Sequence, residues 1–200
     1  RQGETNTLES ELRETYQSVF ARVPASVAAP TASLHFTPRV MKALDERGIT
    51  HEFVTLHVGL GTFQTVYPEQ IEKGELHTEP FSISQLAQKA VLERVKSSTG
   101  SVVAVGTTVV RTLESAAEEI IAGRCTNIEA QTNIFIRPPY SFQLIDKLIT
   151  NFHVPQSSLM CLVDAFLQHK EAPDTLVSLY KKAVEHEFRF FSFGDAMLIL

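Results

Sequence analysis

Residues 101–115, with the sequence SVVAVGTTVVRTLES, constrain the fold more than any other segment of the chain. The first five form an apolar run without alternation, which indicates a strand covered on both faces. Gly106 then permits a sharp turn, and Thr107 or Thr108 can cap the periodic apolar helix that follows. A strand, turn and helix in this order aim the first N–H groups of the helix at a ligand.

Strands and helices alternate along the rest of the chain. This alternation predicts an α/β fold with a mixed, mostly parallel sheet and flanking helices, in which ligands bind beyond the carboxyl ends of the strands. The stretch from Tyr67 to residue 81 is predicted to be irregular. The remaining strands are predicted at 50–58, 133–137, 142–145 and 196–200.

Capping residues and apolar periodicity place the remaining helices. The expected N-cap residues of these helices are Asn6, Thr37, Ser82, Ser157 or Ser158, and Asp174.

Length and composition are those of a folded globular protein. The 200 residues are 44% hydrophobic and 20% charged, so we expect a single α/β lobe over residues 1–200. The net charge of −5 argues against a surface dedicated to nucleic acid, although it leaves room for a local basic patch. The two cysteines fit no metal or redox spacing, which favours a cytoplasmic location.

No apolar run reaches membrane-spanning length and no signal peptide is recognisable, so no membrane partner is expected. The chain begins with RQGETNTLE and lacks an initial Met, which suggests a piece of a longer protein.

Four histidines, His35, His57, His77 and His153, occur in short segments rich in Gly, Thr, Asn or Glu. Each segment is predicted to end a strand or form a turn, so their imidazoles can converge on one cleft. Histidine exchanges protons near neutral pH or binds metals, and a structural bond to a backbone carbonyl is the open alternative. No closely paired spacing typical of zinc sites is present, so no metal is predicted.

Three charged residues have two interpretations each. Glu79 follows His77 by two positions, so the pair faces one side of an extended segment, either for proton transfer or as a surface pair. Arg111 places a positive charge in the first turn of its helix, which the helix dipole disfavours. A carboxylate ligand or the nearby Glu114 can offset this cost. Asp195 either caps a turn or binds a hydroxyl or ammonium group. The absence of a GxSxG motif argues against acyl-enzyme chemistry.

Six segments together resemble one enzyme family. They are SVAAPTASLHFT, TLHVGLGTF, LHTE, AVGTTVVRTLESA, LITNFHVPQSSL and RFFSFGDAM. Their content and order are similar to the S-adenosylmethionine:tRNA ribosyltransferase-isomerases, the QueA family, from Tyr16 to Leu200. The resemblance implies the main α/β lobe of that fold, in its C-terminal portion, without the N-terminal part and the inserted β-barrel.

The resemblance also implies a reaction. Such enzymes use S-adenosylmethionine as a ribosyl donor and transfer and isomerise its ribosyl moiety onto 7-aminomethyl-7-deazaguanine at the tRNA wobble position. The product is epoxyqueuosine, and adenine and methionine are released. A proton must leave the carbon beside the sulfonium and adenine must leave as a neutral base, so general acid–base groups are required.

Site residues follow from combining this chemistry with the motifs. We expect the catalytic pool to be His35, His57, His77 and Glu79. We expect Thr107, Thr108 and Arg111 to hold polar parts of the donor, such as its methionine carboxylate. The full substrate-binding set is expected to be Thr31, Gly59, Gly61, Thr107, Thr108, Arg111, Asn151, His153 and Asp195. The expected partners are S-adenosylmethionine and the precursor-bearing tRNA, with a monomeric protein.

The chain departs from the usual pattern of the family at several positions. The departures are Ser33 for Gly, Gly74 for a frequent His, Asn133 for Asp, Arg137-Pro138-Pro139-Tyr140 for Tyr-Pro-Gly-Tyr, and Phe193 for Tyr. They leave open three alternatives: a divergent paralogue with altered specificity, another adenosyl-donor enzyme, and a non-catalytic lobe that binds RNA or a nucleotide.

Overall fold

A computed structural model describes residues 16–21, 26, 28–59, 66–97 and 99–200. The predicted opening helix from Asn6 and the predicted site residue Gly61 lie outside these residues. The α-helices are α1 (Pro38–Glu46), α2 (Pro68–Lys73), α3 (Gln85–Lys96), α4 (Thr107–Ser115), α5 (Ala117–Ile121), α6 (Ser158–His169) and α7 (Leu176–Glu185). A 3-10 helix covers Thr31–His35. The strands are β1 (Val54–Leu56), β2 (Glu75–Ile83), β3 (Val103–Val105), β4 (Ile128–Ile134), β5 (Lys147–Asn151) and β6 (Ala196–Ile199).

The strands form two small sheets of three strands each, in the orders β1-β2-β4 and β3-β5-β6. The α/β class is confirmed, but the single, mostly parallel sheet expected from the sequence is not what the strands form. Among the strands of the described residues, β3 and β5 pair in parallel, whereas β1–β2, β2–β4 and β5–β6 are antiparallel. The alternation of helices and strands along a chain does not fix the direction of each strand. When the chain re-enters a sheet at the end where it left, the next strand runs antiparallel to the one before it.

Strand β2 accounts for much of this difference. It occupies a stretch predicted to be irregular, where Pro80 and the polar residues at 77–79 hide any apolar alternation. Its pairing with β4 supplies the hydrogen bonds, and the register shifts between Glu75 and Glu79. Pairing to a distant strand is a tertiary event, and local sequence carries little of it.

Helix α4 joins the two sheets. It packs against β1 and β4 of the first sheet and against β3 of the second. Its residues Val110 and Leu113 belong to the common core, where Ala104 and Leu148 of the second sheet are completely buried. The residues at the beginning of α4 are therefore held by the core of the molecule.

Several helix ends agree with the sequence prediction. Thr37 caps α1 by accepting a hydrogen bond from the N–H of Val40, and Gly48, with φ of 66°, follows its last turn. Ser157 caps α6 through the N–H of Met160. Short side-chain acceptors are good predictors here because the cap interaction is local.

Other predicted boundaries are wrong. Helix α3 is capped by Ser84, since Ser82 lies in β2. Helix α7 is capped by Thr175, while the Asp174 carboxylate accepts hydrogen bonds from Ser178 and Lys182.

Two predicted segments near α4 also differ. The helix expected to continue through residue 121 is interrupted at Ala116, between α4 and α5. Residues 142–145 are not a strand, and the N–H groups of Gln143 and Leu144 bond to a buried side chain rather than to a neighbouring strand.

Candidate active-site cleft

An open cleft lies at the carboxyl ends of the parallel strands β3 and β5. It contains about 740 Å³ of empty space, part of which is continuous with solvent. Its principal walls are segments 28–32, 106–108, 150–154 and 191–192. Because parallel strands end at the same edge of a sheet, this is where the α/β pattern predicted ligand contacts. The sequence-predicted residues that line it are Thr31, Thr107, Thr108, Asn151 and His153.

The beginning of α4 forms one wall of the cleft. Gly106, not a threonine, is the N-cap, and it provides no side-chain cap. Its φ of 95° is unfavourable for residues with a Cβ, and its N–H donates to the carbonyl of Ile149 at 2.8 Å. The first N–H groups of a helix lack intrahelical acceptors, so those of Thr107 and Thr108 are available to an anionic group.

Asn151 connects three parts of the cleft. The side chain is 2% exposed, and its Oδ1 accepts a hydrogen bond from Thr31 Oγ1 at 3.0 Å. Its Nδ2 lies 3.4 Å from His35 Nε2 and donates to the carbonyl of Asp195 at 3.3 Å. The end of β5, the 3-10 helix and the segment before β6 therefore have a fixed relative position at this side chain.

His153 is the predicted histidine that lines the cleft directly. Its Nε2 lies 2.8 Å from Thr150 Oγ1, and its backbone N–H donates to the Tyr180 hydroxyl at 2.9 Å. Burial lowers the pKa of His153 from 6.5 to about 4. The imidazole is therefore neutral at pH 7, and because burial disfavours its protonated form it is a weaker base than a free imidazole.

Asp195 holds a turn rather than facing the cleft. Its carboxylate accepts hydrogen bonds from the N–H of Arg189 at 2.8 Å and from Arg189 Nη2 at 2.7 Å. These bonds lower the pKa of Asp195. Of the two interpretations of Asp195, the structure favours turn capping.

Glu79, Arg111 and Gly59 form a second, buried cluster. Arg111 Nη1 lies 2.6 Å from Glu79 Oε2, and Glu79 Oε1 accepts a hydrogen bond from the N–H of Gly59 at 2.8 Å. Arg111 and Glu79 are 4% and 2% exposed, so neither is a surface group. Within the described part of the chain, Arg111 Nε and Nη2 have no hydrogen-bond partner.

Residues of the buried cluster lie close in sequence to residues that line the cleft at two places. Val58 lines the cleft while the adjacent Gly59 bonds to Glu79, and Thr107 lies one helical turn before Arg111. Arg111 pairs with Glu79, and not with Glu114, the partner within the chain that the sequence suggested. The ion pair links β2, α4 and the end of the segment after β1.

The structure does not bring His57 and His77 to the cleft. The N–H of His57 bonds to the carbonyl of Pro80, and the residue borders a shallow depression on the first sheet together with Phe81 and Gln131. His77 is exposed, whereas Glu79 is buried. The register shift in β2 breaks the alternation that would have placed His77 and Glu79 on one side.

Sequence reasoning missed the role of Glu114. This carboxylate is 5% exposed and accepts hydrogen bonds from the N–H groups of Gln143 and Leu144 at 3.0 Å each. Desolvation raises the pKa of Glu114 despite these bonds. An acidic residue within the apolar helix stripe was the available signal, but its partners lie about 30 residues away in sequence.

Two further properties concern metals and membranes. Among the residues that the structure describes, no group of three or more His, Cys, Asp or Glu side chains is arranged to hold a metal ion. No helix in the described ranges combines the length and apolar character required to cross a bilayer.

Residues 4–199 match the sequence model of a family described as "Queuosine biosynthesis protein". The chain belongs to this queuosine biosynthesis protein family. The match covers every segment that forms the cleft and the buried ion pair.

Individual members of the queuosine biosynthesis protein family support the same assignment. The chain is 50% identical over 190 residues to the S-adenosylmethionine:tRNA ribosyltransferase-isomerase of Thermus thermophilus, covering 94% of this chain and 52% of that protein. It is 51% identical over 187 residues to the protein of the same name from Treponema denticola, again covering 94% of this chain and 52% of that protein. The chain therefore spans about half the length of these curated relatives.

A solved structure is also similar. The crystal structure of S-adenosylmethionine tRNA ribosyltransferase from Thermotoga maritima superimposes with a TM-score of 0.64 at 37% sequence identity. The superposition covers 85% of this chain and 51% of that chain. Most of this chain therefore has the fold of about half of that protein.

Proposed function

We propose that this chain forms part of an S-adenosylmethionine:tRNA ribosyltransferase-isomerase. The observation that carries the proposal is the cleft itself: the Gly-Thr-Thr turn, Asn151 and His153, which come from separate resembling segments, lie around one open space. Relatives with that enzyme name are about half identical to the chain. The substrates would be S-adenosylmethionine and a tRNA that carries 7-aminomethyl-7-deazaguanine at the wobble position.

In the proposed reaction the ribosyl moiety of S-adenosylmethionine is transferred and isomerised to give epoxyqueuosine, with release of adenine and methionine. The donor carries a carboxylate on its methionine part. The first N–H groups of α4, at Thr107 and Thr108, suit this anion because the positive end of the helix dipole lies there. The methionine end of the donor is therefore proposed to lie against α4.

Proton transfer is assigned to the histidines nearest the cleft. His153 lines the cleft, so it is the proposed acceptor of the proton from the carbon beside the sulfonium, as a base that its lowered pKa makes weaker than a free imidazole. His35 lies next to Asn151 at the same edge and is the proposed second acid–base group. His57 and His77 are weaker candidates because both lie outside this cleft.

Arg111 and Glu79 are proposed as positioning residues. Their ion pair is buried, and Glu79 holds the N–H of Gly59 at the end of the segment after β1. Because Val58 lines the cleft beside Gly59, displacement of the pair would move that wall. This role replaces the direct contact with the donor carboxylate that the sequence suggested for Arg111.

Adenine release from S-adenosylmethionine tests the proposal. The 200-residue chain, and any longer natural form of the protein, is incubated with the donor in the presence and absence of precursor-bearing tRNA. Adenine release that depends on this tRNA is expected. Release without RNA would instead indicate another adenosyl-donor enzyme, and binding without any release would indicate a non-catalytic lobe.

Matched histidine variants test the assignment of roles. His153→Gln and His35→Gln should each lower the rate of adenine release by about 100-fold or more, in the range of general acid–base contributions. His77→Gln serves as the control because His77 is exposed on β2. Equal losses in all three variants would argue against the cleft histidines.

The single lobe, the cytoplasmic location and the monomeric state remain predictions.

A further inference from the structure

Phe191 lines the wall of the cleft, and about half of its surface remains exposed. The residue is 53% exposed although it lines the same space as Thr107, Thr108 and Asn151. Among the rings that the structure describes, the one paired with it is that of Phe190, with ring centroids 6.2 Å apart. An apolar ring that remains open beside a polar cleft offers a flat face to a ligand.

The backbone presents this ring by an uncommon conformation. Phe191 has φ of 71°, a left-handed region that residues with large side chains rarely adopt. Its N–H donates to the carbonyl of Phe152 at 3.0 Å, and its carbonyl accepts from the N–H of Gly194 at 3.0 Å. Both polar groups of the peptide backbone at Phe191 are therefore satisfied, and the conformation is held by its surroundings.

The turn that carries Phe191 is braced on both sides. Asp195 accepts hydrogen bonds from the N–H and the guanidinium of Arg189, and Asn151 Nδ2 donates to the carbonyl of Asp195. A Cβ added at Gly194 would lie 2.4 Å from the carbonyl oxygen of Arg189, so the turn has no room for a side chain at this position. The ring is thus placed by a preorganised support.

We propose that Phe191 is the stacking surface for the purine ring of a nucleoside that binds in this cleft. The purine would lie against Phe191, and the polar remainder of the ligand would extend toward the beginning of α4. Aromatic side chains stack on bases through their faces, and such contacts need no polar partner on Phe191. This inference deepens the proposed function, since it names the residue that would hold the adenine of the donor.

Neighbouring phenylalanines do not share this arrangement. Phe193 is also exposed, but its ring packs 5.3 Å from that of Tyr16. Phe188 is 47% exposed, packs 5.8 Å from the ring of Phe152, and does not line the cleft. Phe188 therefore provides a matched control: a similarly exposed phenylalanine on the same segment, away from the proposed purine.

Tryptophan fluorescence tests the proposal, because the chain contains no Trp. In Phe191→Trp the introduced indole should be quenched on titration with S-adenosylmethionine or adenosine, but not with methionine, which lacks a purine. In Phe188→Trp neither nucleoside should change the emission. Equal quenching of both variants, no quenching of Phe191→Trp at saturating nucleoside, or quenching by an RNA oligonucleotide alone would each overturn the proposal.

Turnover gives a second, independent measurement. Phe191→Leu should raise KM for S-adenosylmethionine by about tenfold or more with little change in kcat, from the loss of one stacked base, whereas Phe191→Tyr should restore it. A loss confined to kcat, or an unchanged KM, would contradict stacking. Purine-dependent quenching in a protein that releases no adenine would retain the Phe191 site and reject the proposed reaction, so the two failures are distinguishable.

Discussion

Arg111 Nη1 lies 2.6 Å from Glu79 Oε2, and both side chains are almost completely buried between the first sheet and α4. Removing one member leaves an uncompensated charge in the interior. Arg111→Met or Glu79→Leu alone should therefore lower the free energy of unfolding by about 3–5 kcal/mol, as measured by urea denaturation.

The double variant provides the control for this pair. Arg111→Met combined with Glu79→Leu removes both charges and should be more stable than either single variant. Lys42→Ala, which removes an exposed ion pair with Glu46, should leave stability almost unchanged. Additive losses in the double variant would show that the two residues stabilise the fold independently.

Buried His153 should make stability depend on pH. Burial lowers its pKa from 6.5 to about 4, so on acidification the unfolded chain binds a proton first. Its contribution, about 3 kcal/mol at most, is complete above pH 6.5 and is lost progressively as the pH falls toward about 4. The measurement is the difference in unfolding free energy between the unsubstituted protein and His153→Gln across this range. A constant difference would contradict the lowered pKa.

Glu114 should be required for the segment before β5. Glu114→Ala leaves the buried N–H group of Leu144 without its acceptor, and a cost of about 1–3 kcal/mol in unfolding free energy is expected. Hydrogen exchange at Gln143 and Leu144 should accelerate in the same variant. The exposed Glu118 of α5 supplies the control, because Glu118→Ala should change neither quantity. Unchanged exchange in Glu114→Ala would show that other contacts hold the segment.

Gly194 and Gly59 should respond differently to the same substitution. A Cβ at Gly194 would lie 2.4 Å from a backbone oxygen, whereas one at Gly59 would lie 3.8 Å from Glu79 Oε1. Gly194→Ala should therefore cost about 1–3 kcal/mol of unfolding free energy, as overpacking does. Gly59→Ala should cost about 0.5 kcal/mol or less. Thermal unfolding of both variants measures the contrast, and equal effects would contradict the close packing of the turn at Gly194.

Local signals in the sequence located several elements correctly. The caps at Thr37 and Ser157 and the strand at 103–105 depend on residues within one helical turn or one short run. Strand β2 and the segment at 142–145 were missed, because β2 is fixed by its pairing with β4 and residues 142–145 by the carboxylate of Glu114. Strand β4 and Glu114 are both remote in sequence from the segments that they hold, and no periodic pattern in the sequence predicts these contacts.

The sequence alone determined the α/β class, the strand and turn that lead into α4, and the set of polar residues from which the cleft is made. The tertiary structure decided which of them meet. It placed His153, Asn151 and Thr107 around one space, buried Arg111 against Glu79, and left His57 and His77 outside the cleft. The physical reason is that side-chain direction depends on strand register, on the register shift in β2 and on long-range pairing, which arise only when distant segments pack together.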